Sequence, residues 1–177
     1  EILKDEGFNA SEVEQILDSL EKSSGKRFFS SRYQVVKDRK YLIVSPIETS
    51  QQEEKKIDKI EDLETLGFKV EKFPISVVPD FTLNSEILHV DVEKLVFPLV
   101  LRYWQEGDRF CPFGMRGSKK LSDFFIDQKV NLLEKKNVQV LCSADKIVWL
   151  VGLRADDRFK IDHQTENYYK IQYYGSI

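Results

Sequence analysis

The stretch FPLVLRYWQEGDRFCPFGMRGSKKLSDFFIDQKVNLLEKKNVQVLCSADKIVWLV, residues 97–151, switches its pattern repeatedly, and that switching decides the fold class. Phe97 to Trp104 reads as a strand broken at its start by Pro98. Gly107, Pro112, Gly114 and Gly117 then make a run too rich in turn residues for regular structure. Leu121, Phe124 and Phe125 mark one side of a short helix, and Asn131 to Lys136 starts another. Val138 to Leu141 and Ile147 to Val151 return to strand. Strands with short helices and no βαβ alternation mean α+β, with mainly antiparallel strands.

Outward from this stretch the pattern continues in both directions. Downstream, Tyr168 to Tyr173 alternates Tyr169, Ile171 and Tyr173 against Lys170 and Gln172, the period of a strand. Upstream, Ile87 to Val92 is strand-like, and Pro74 and Pro79 bracket a short run, Ile75 to Val78, of the same kind. Glu48 to Glu64 is mostly charged, with Ile57, Ile60 and Leu63 at helical spacing, and reads as a loop leading into a marginal helix. FFSSRYQVV, KDRK and YLIVSP predict a β-hairpin. At the start, Val13, Ile16, Leu17 and Leu20 predict one helical face, with Ser11 and Glu14 in capping-box register and Gly25 as the stop. The domain boundary is expected near residue 80, giving a helix-plus-hairpin connecting region over 1–79 and a second domain over 80–177.

Composition narrows the function. Among 177 residues, 27 Lys and Arg stand against 30 Asp and Glu, a net charge of −3, so any nucleic-acid site is a local patch rather than the whole surface. Two cysteines, Cys111 and Cys142, make no disulfide scaffold and fit a reducing compartment, so a cytoplasmic protein is expected. No apolar run reaches the length of a membrane span. Met115 is the sole methionine, and the sequence is expected to be a fragment or a trimmed chain.

Catalytic chemistry finds little support. His89 lies in an apolar strand pattern and His163 in a polar run, so structural or solvated roles outweigh catalytic ones for both. The cysteines have no CxxC partner, and neither GxGxxG nor GxxxxGK[ST] occurs, so no metal site and no nucleotide-phosphate loop is expected. Asp156 with Asp157, and Asp123 with Asp127, could pair for acid–base work. Neighbouring Arg158 and Lys129 favour salt-bridged or solvated carboxylates. What remains is basic: Arg102, Arg109, Arg116, Lys119 and Lys120 fall within nineteen residues holding only Glu106 and Asp108 as acids, interleaved with Trp104, Phe110 and Phe113. Such a loop can offer guanidinium forks and backbone N–H groups to phosphates and rings to bases. The plainer alternative is an internally braced loop with core aromatics and solvated lysines.

LRYWQEGDRFCPFGMRGSKKLSDFFIDQK, residues 101–129, followed by IVWLVGLRADDRFKI, residues 147–161, resembles the C-terminal domain of the bacterial tRNA(Ile)-lysidine synthetases. The family joins an LR element, GDRF, a P-x-GM turn, KKL-[SK]-DFF and a distal W-x-x-G-x-R-x-D-x-RF, and each part is present in order. The resemblance is close over residues 88–165 and looser upstream. It implies a layered α+β domain with a β-sandwich part, similar to a tRNA-binding module of the phenylalanine tRNA synthetase β chain. It also implies a parent ligase that joins lysine to the wobble cytidine of the CAU-anticodon isoleucine tRNA. ATP and Mg2+ would serve an N-terminal domain whose SGGxDS loop is absent from these residues. By resemblance, the C-terminal domain engages the acceptor-stem end of tRNA, the parent's own catalytic domain is a second partner, and the chain alone is inactive.

Carried over residue by residue, RNA binding falls on Arg102, Arg109, Arg116, Lys119, Lys120, Arg154 and Arg158. Gly107, Gly114 and Gly117 are expected to set loop geometry, and Asp108 and Asp123 to orient neighbouring cations. No catalytic or metal-ligating residue is expected. A competing reading is a protein-interaction or regulatory domain that docks on a catalytic domain or an acidic partner.

Overall fold

The computed structural model describes residues 2–21, 25–38, 40–47, 53–77 and 84–175. They form two compact units: Glu1–Gln51 with Lys129–Asn137, and Gln52–Gln128 with Val138–Ile177.

The first unit begins with α1 (Ile2–Asp5) and α2 (Ala10–Asp18), followed by a meander of β1 (Arg27–Phe29), β2 (Tyr33–Asp38) and β3 (Tyr41–Pro46). The cap of α2 lies two residues before the expected one. Asn9 Oδ1 accepts from the Glu12 N–H and Glu12 Oε2 accepts from the Asn9 N–H, a reciprocal capping box. The helix ends at Ser19, whose hydroxyl donates to the Ile16 carbonyl, well before Gly25. Its buried face is correspondingly narrower: Ile16 and Val13 join Phe8 and Val35, whereas Leu17 and Leu20 are exposed. The predicted hairpin is present as β2–β3, with β1 added on its other edge. Alternation along β2 sends Val35 toward α2 and Gln34 to the opposite face. Gln34 Oε1 there accepts from Lys136 Nζ at 2.9 Å. That bond ties residues 129–137, distant in sequence, into this unit.

The second unit opens with β4 (Lys55–Ile57), a 3₁₀ turn over Ile60–Leu66 and β5 (Phe68–Pro74). Ile57, Ile60 and Leu63 are buried as their spacing suggests, but a strand and a 3₁₀ turn bury them in place of the expected helix. β6 (Ile87–Asp91), β7 (Leu99–Tyr103), β8 (Arg109–Phe110) and β9 (Lys119–Lys120) follow, then α3 (Leu121–Asp127). α4 (Leu132–Asn137) is the excursion into the first unit, after which β10 (Gln139–Ser143), β11 (Lys146–Leu150), β12 (Arg154–Ala155) and β13 (Asn167–Tyr173) complete the chain.

All pairings are antiparallel, in a five-stranded sheet ordered β12-β11-β10-β7-β4, a three-stranded sheet β5-β13-β6 and the ribbon β8-β9. One core joins the inner faces of the two larger sheets: Leu99, Leu101, Leu141 and Trp149 from one, Phe68, Leu88, Val90 and Ile171 from the other. This is the α+β class that the sequence pattern predicts, with the sandwich-like layering that the family resemblance implies. The expected boundary near residue 80 does not divide the units. β5 precedes it yet pairs along its whole length with β13, from Phe68 opposite Tyr173 to Pro74 opposite Asn167. The strand expected over 75–78 is instead this upstream one. Pro74 closes it at a sheet edge, where proline costs no ladder bond, and Ile75–Val77 turn away. Val78 itself lies outside the described residues.

Candidate nucleic-acid interface

The glycine-rich stretch after β7 is organised by two carboxylates. Asp108 accepts from the Gln105 N–H at 2.8 Å and, through both oxygens, from Arg102 NH1 and NH2 at 2.8 and 2.9 Å. The turn it closes needs the left-handed backbone of Gly107, φ 96°. Burial alone would push the Asp108 carboxyl up, but the Arg102 bonds and the Gln105 N–H outweigh it and hold it below the usual carboxylate range. The same bonds raise the Arg102 guanidinium.

The second carboxylate, Asp156, is 1% exposed. It accepts from the Cys111 N–H at 2.8 Å and from Arg158 Nε and NH2 at 2.9 and 2.8 Å, and that pair raises the Arg158 guanidinium. Around it, residues 111–114 are laced to 154–157. The Asp157 N–H donates to the Cys111 carbonyl, the Phe113 N–H to the Ala155 carbonyl, and the Gly114 N–H to Asp157 Oδ1. Arg154 NH2 donates to the Phe113 carbonyl at 2.7 Å. The two sequence motifs, forty-odd residues apart, are thus one surface.

Between these pins runs the β8–β9 ribbon. Its inner residue Phe110 packs edge-on against Phe124 of α3, centroids 5.1 Å apart, with Leu121 and Phe125 fully buried behind. Arg109 and Lys120 are directly opposite one another and therefore emerge side by side on the outer face, both exposed. Arg109 is steadied by Ser118, whose hydroxyl and carbonyl accept from its guanidinium. Arg116 is exposed in the turn between Gly114 (φ 80°) and Gly117 (φ 95°).

The seven candidate cations therefore divide. Arg109, Arg116, Lys120 and Arg154 are exposed on the ribbon and on the loop laced to it. Arg102 is committed inward to Asp108, with 17% of its side chain accessible, and Arg158, though 38% accessible, is held in the fork of Asp156. Lys119 is ion-paired with Asp127 across α3. Asp108 is bonded to a cation, but Asp123 is exposed at the start of α3 and its only side-chain bond among the described residues is from the Ser122 hydroxyl. Of the four carboxylates weighed for acid–base work, Asp127, Asp156 and Asp157 engage cations, and none of these is adjacent in sequence: Lys119, Arg158 and Lys160.

Reading the sequence missed Lys160 and a cleft of about 340 Å³ that Lys160 lines together with Arg154, Phe113, Trp149 and His89. No spacing signals it, because its walls come from β6, the 111–114 loop and the segment after β11. Both cysteines are free, and burial pushes the Cys142 thiol up to about 11, so it is protonated at neutral pH and is no nucleophile. Among the described residues no group of three or more His, Cys, Asp or Glu side chains could hold a metal, and no helix is long and apolar enough to cross a membrane.

Fold and site together define a two-unit α+β chain whose second unit is a small antiparallel sandwich edged by a pinned, cationic loop surface. Comparison with known proteins agrees. Residues 1–47 match the family described as the TilS substrate binding domain, and residues 99–173 the TilS substrate C-terminal domain. The tRNA(Ile)-lysidine synthase of Parabacteroides distasonis is 40% identical over 177 residues, 99% of this chain and 40% of that protein. That of Caldanaerobacter subterraneus is 33% identical over 174 residues, 95% of this chain and 37% of that protein. The crystal structure of a TilS C-terminal domain superposes with a TM-score of 0.51 at 23% identity, covering 67% of this chain and 88% of that one, and so shares the fold. The chain belongs to the tRNA(Ile)-lysidine synthase family and spans about 40% of the length of those curated relatives.

Proposed function

We propose that this chain is the tRNA-binding part of a lysidine-forming ligase, and that its second unit grips the acceptor-stem end of the tRNA. The carrying observation is the outer face of the β8–β9 ribbon. Like charges directly opposite across a strand pair destabilise it by a few tenths of a kcal/mol or more. Here Arg109 and Lys120 occupy such positions, with Arg116 and Arg154 on the adjoining loop and strand. A polyphosphate offsets that repulsion, and the two carboxylate pins hold the surface in shape before it arrives. Phosphate contacts of this kind fix register and add affinity without reading sequence, which suits a site remote from the anticodon.

The ATP and Mg2+ of the proposed reaction have no fitting donors among the described residues, which offer neither a carboxylate cluster nor a glycine-rich phosphate loop. Adenylation and lysine transfer are assigned in this reading to a catalytic domain such as the remaining length of the relatives could hold, in the cytoplasm where tRNA is modified, and the chain alone is expected to be inactive.

Titration with tRNA tests the reading. With four phosphate contacts, affinity should fall roughly 100-fold between about 50 and about 200 mM salt. Exchanging the anticodon while keeping the acceptor stem should leave affinity unchanged. Binding that ignores salt, or that follows the anticodon, overturns the proposal; salt-insensitive docking onto a catalytic domain would favour a protein-interaction role.

A further inference from the structure

The cleft lies between the two larger sheets of the second unit, at their edges: Ile87 and His89 come from edge strand β6, Arg154 and Ala155 from edge strand β12. It is not a dry packing gap. Phe113 stands at it 42% exposed, and Trp149, which is otherwise core, forms part of its wall. Two cations, Arg154 and Lys160, line the same space. Of the five N–H donors of the Arg154 guanidinium, one is used on the Phe113 carbonyl. Lys160 is shared with Asp157 at 2.8 Å while its side chain stays 44% accessible. An enclosure of this size suits a small ligand, and apolar and aromatic walls with a few convergent polar groups are how such sites are built.

Rings and cations in one concavity fit a ligand with a flat heterocycle at one end and a phosphate at the other. A duplex offers the phosphate but not the face of the heterocycle, because its bases are stacked and paired, whereas an unpaired nucleotide offers both. The cleft also adjoins the ribbon surface, since Phe113 and Arg154 belong to the laced segment that continues into Arg116.

Resting on the RNA-binding reading above, we infer that this cleft takes one unpaired nucleotide of the bound RNA, its base against Phe113 and its phosphate toward Arg154 and Lys160. The ribbon holds double-stranded backbone, and the cleft registers where the strand leaves the duplex.

The test compares two RNAs binding to the 177-residue chain: a short blunt duplex, and the same duplex with a short single-stranded extension. The extension should tighten binding roughly fivefold or more, the gain that one stacked base supplies. Phe113→Ala should remove that gain and leave blunt-duplex affinity unchanged. The substitution keeps the loop laced, because the Phe113 N–H and carbonyl bonds do not involve its ring. Ser85→Trp, at an exposed residue on the cleft wall, fills the space without deleting a contact and should do the same. Melting temperatures accompany both, and Ser85→Trp decides if Phe113→Ala loosens the fold. If the blunt duplex binds and the extension adds nothing, or if well-folded variants keep the gain, the cleft inference is overturned while the ribbon reading stands. If neither RNA binds, the RNA-binding reading fails and the cleft falls with it.

Discussion

Arg102 and Arg116 stand fourteen residues apart in one basic stretch, and the fold treats them in opposite ways. Arg102 lies on a central sandwich strand with both terminal nitrogens on Asp108; Arg116 hangs in a glycine-flanked turn and is exposed. Arg158 and Arg154 repeat the contrast four residues apart, one forked by the buried Asp156, the other presented at the cleft. The lesson is that half of a basic motif can be architecture. The carboxylate-paired arginines shape the platform on which the presented cations stand, so on the RNA-binding reading proposed above, losing either class should weaken binding by a different route.

The strongest way to break this division is to remove the platform. Phe124 is 6% exposed and backs Phe110, so Phe124→Ala should cost about 3 to 5 kcal/mol, and any loss of RNA binding should track the melting curve. Arg102→Ala comes next, because it strands Asp108, whose side chain is 14% accessible; about 3 kcal/mol is expected by chemical denaturation. A loss under about 0.5 kcal/mol would move Arg102 to the presented class.

Acid sharpens the same comparison. The Asp108 carboxyl is held below its ordinary value, so the unfolded chain binds its proton more readily. Its contribution is complete above the unfolded carboxylate value near pH 4 and disappears as pH falls through the lower folded value. Melting temperature should therefore drop more steeply with acid in the parent chain than in Asp108→Asn. Equal slopes would mean that the pair does not couple to folding.

Smaller effects separate the lysines. Lys120→Ala and Arg116→Ala should each lower the salt slope of tRNA binding by about one and leave stability within about 0.5 kcal/mol. Lys119→Ala should change the slope least, since Asp127 already neutralises that ammonium. If Lys119 and Lys120 respond alike, the ion pair does not hold the lysine back from RNA.

Much of the sandwich is legible in the sequence because its strands carry their own signal. β7, β10, β11 and β13 are runs of apolar or alternating residues, and α3 shows Leu121, Phe124 and Phe125 on one side. What escapes reading depends on partners far along the chain. β5 looks charged, FKVEKFP, and is a strand because β13 supplies its ladder about a hundred residues later. The excursion of α4 meets Gln34, 102 residues upstream, through Lys136. The sorting of cations depends on which carboxylate each meets: Arg158 skips its neighbour Asp157 for Asp156, and Lys119 reaches Asp127 rather than Asp123. Asn9 displaces Ser11 as cap because the chain enters the helix one turn-fraction earlier than the apolar spacing alone suggests.

The bond from the Cys111 N–H to Asp156 spans 45 residues, and with it comes a constraint on timing. A ribosome releases the glycine-rich stretch well before it releases the carboxylate that fixes it, and β10 and β11 must pair in between. Loop closure over such a distance follows local hairpin formation, so the cationic surface takes its shape only after β10 and β11 have paired. A nascent or truncated chain lacking residues beyond 153 would carry the basic residues without their shape. On the RNA-binding reading proposed above, such a chain would offer those cations without a fixed spacing, and specific binding would wait on the completion of synthesis.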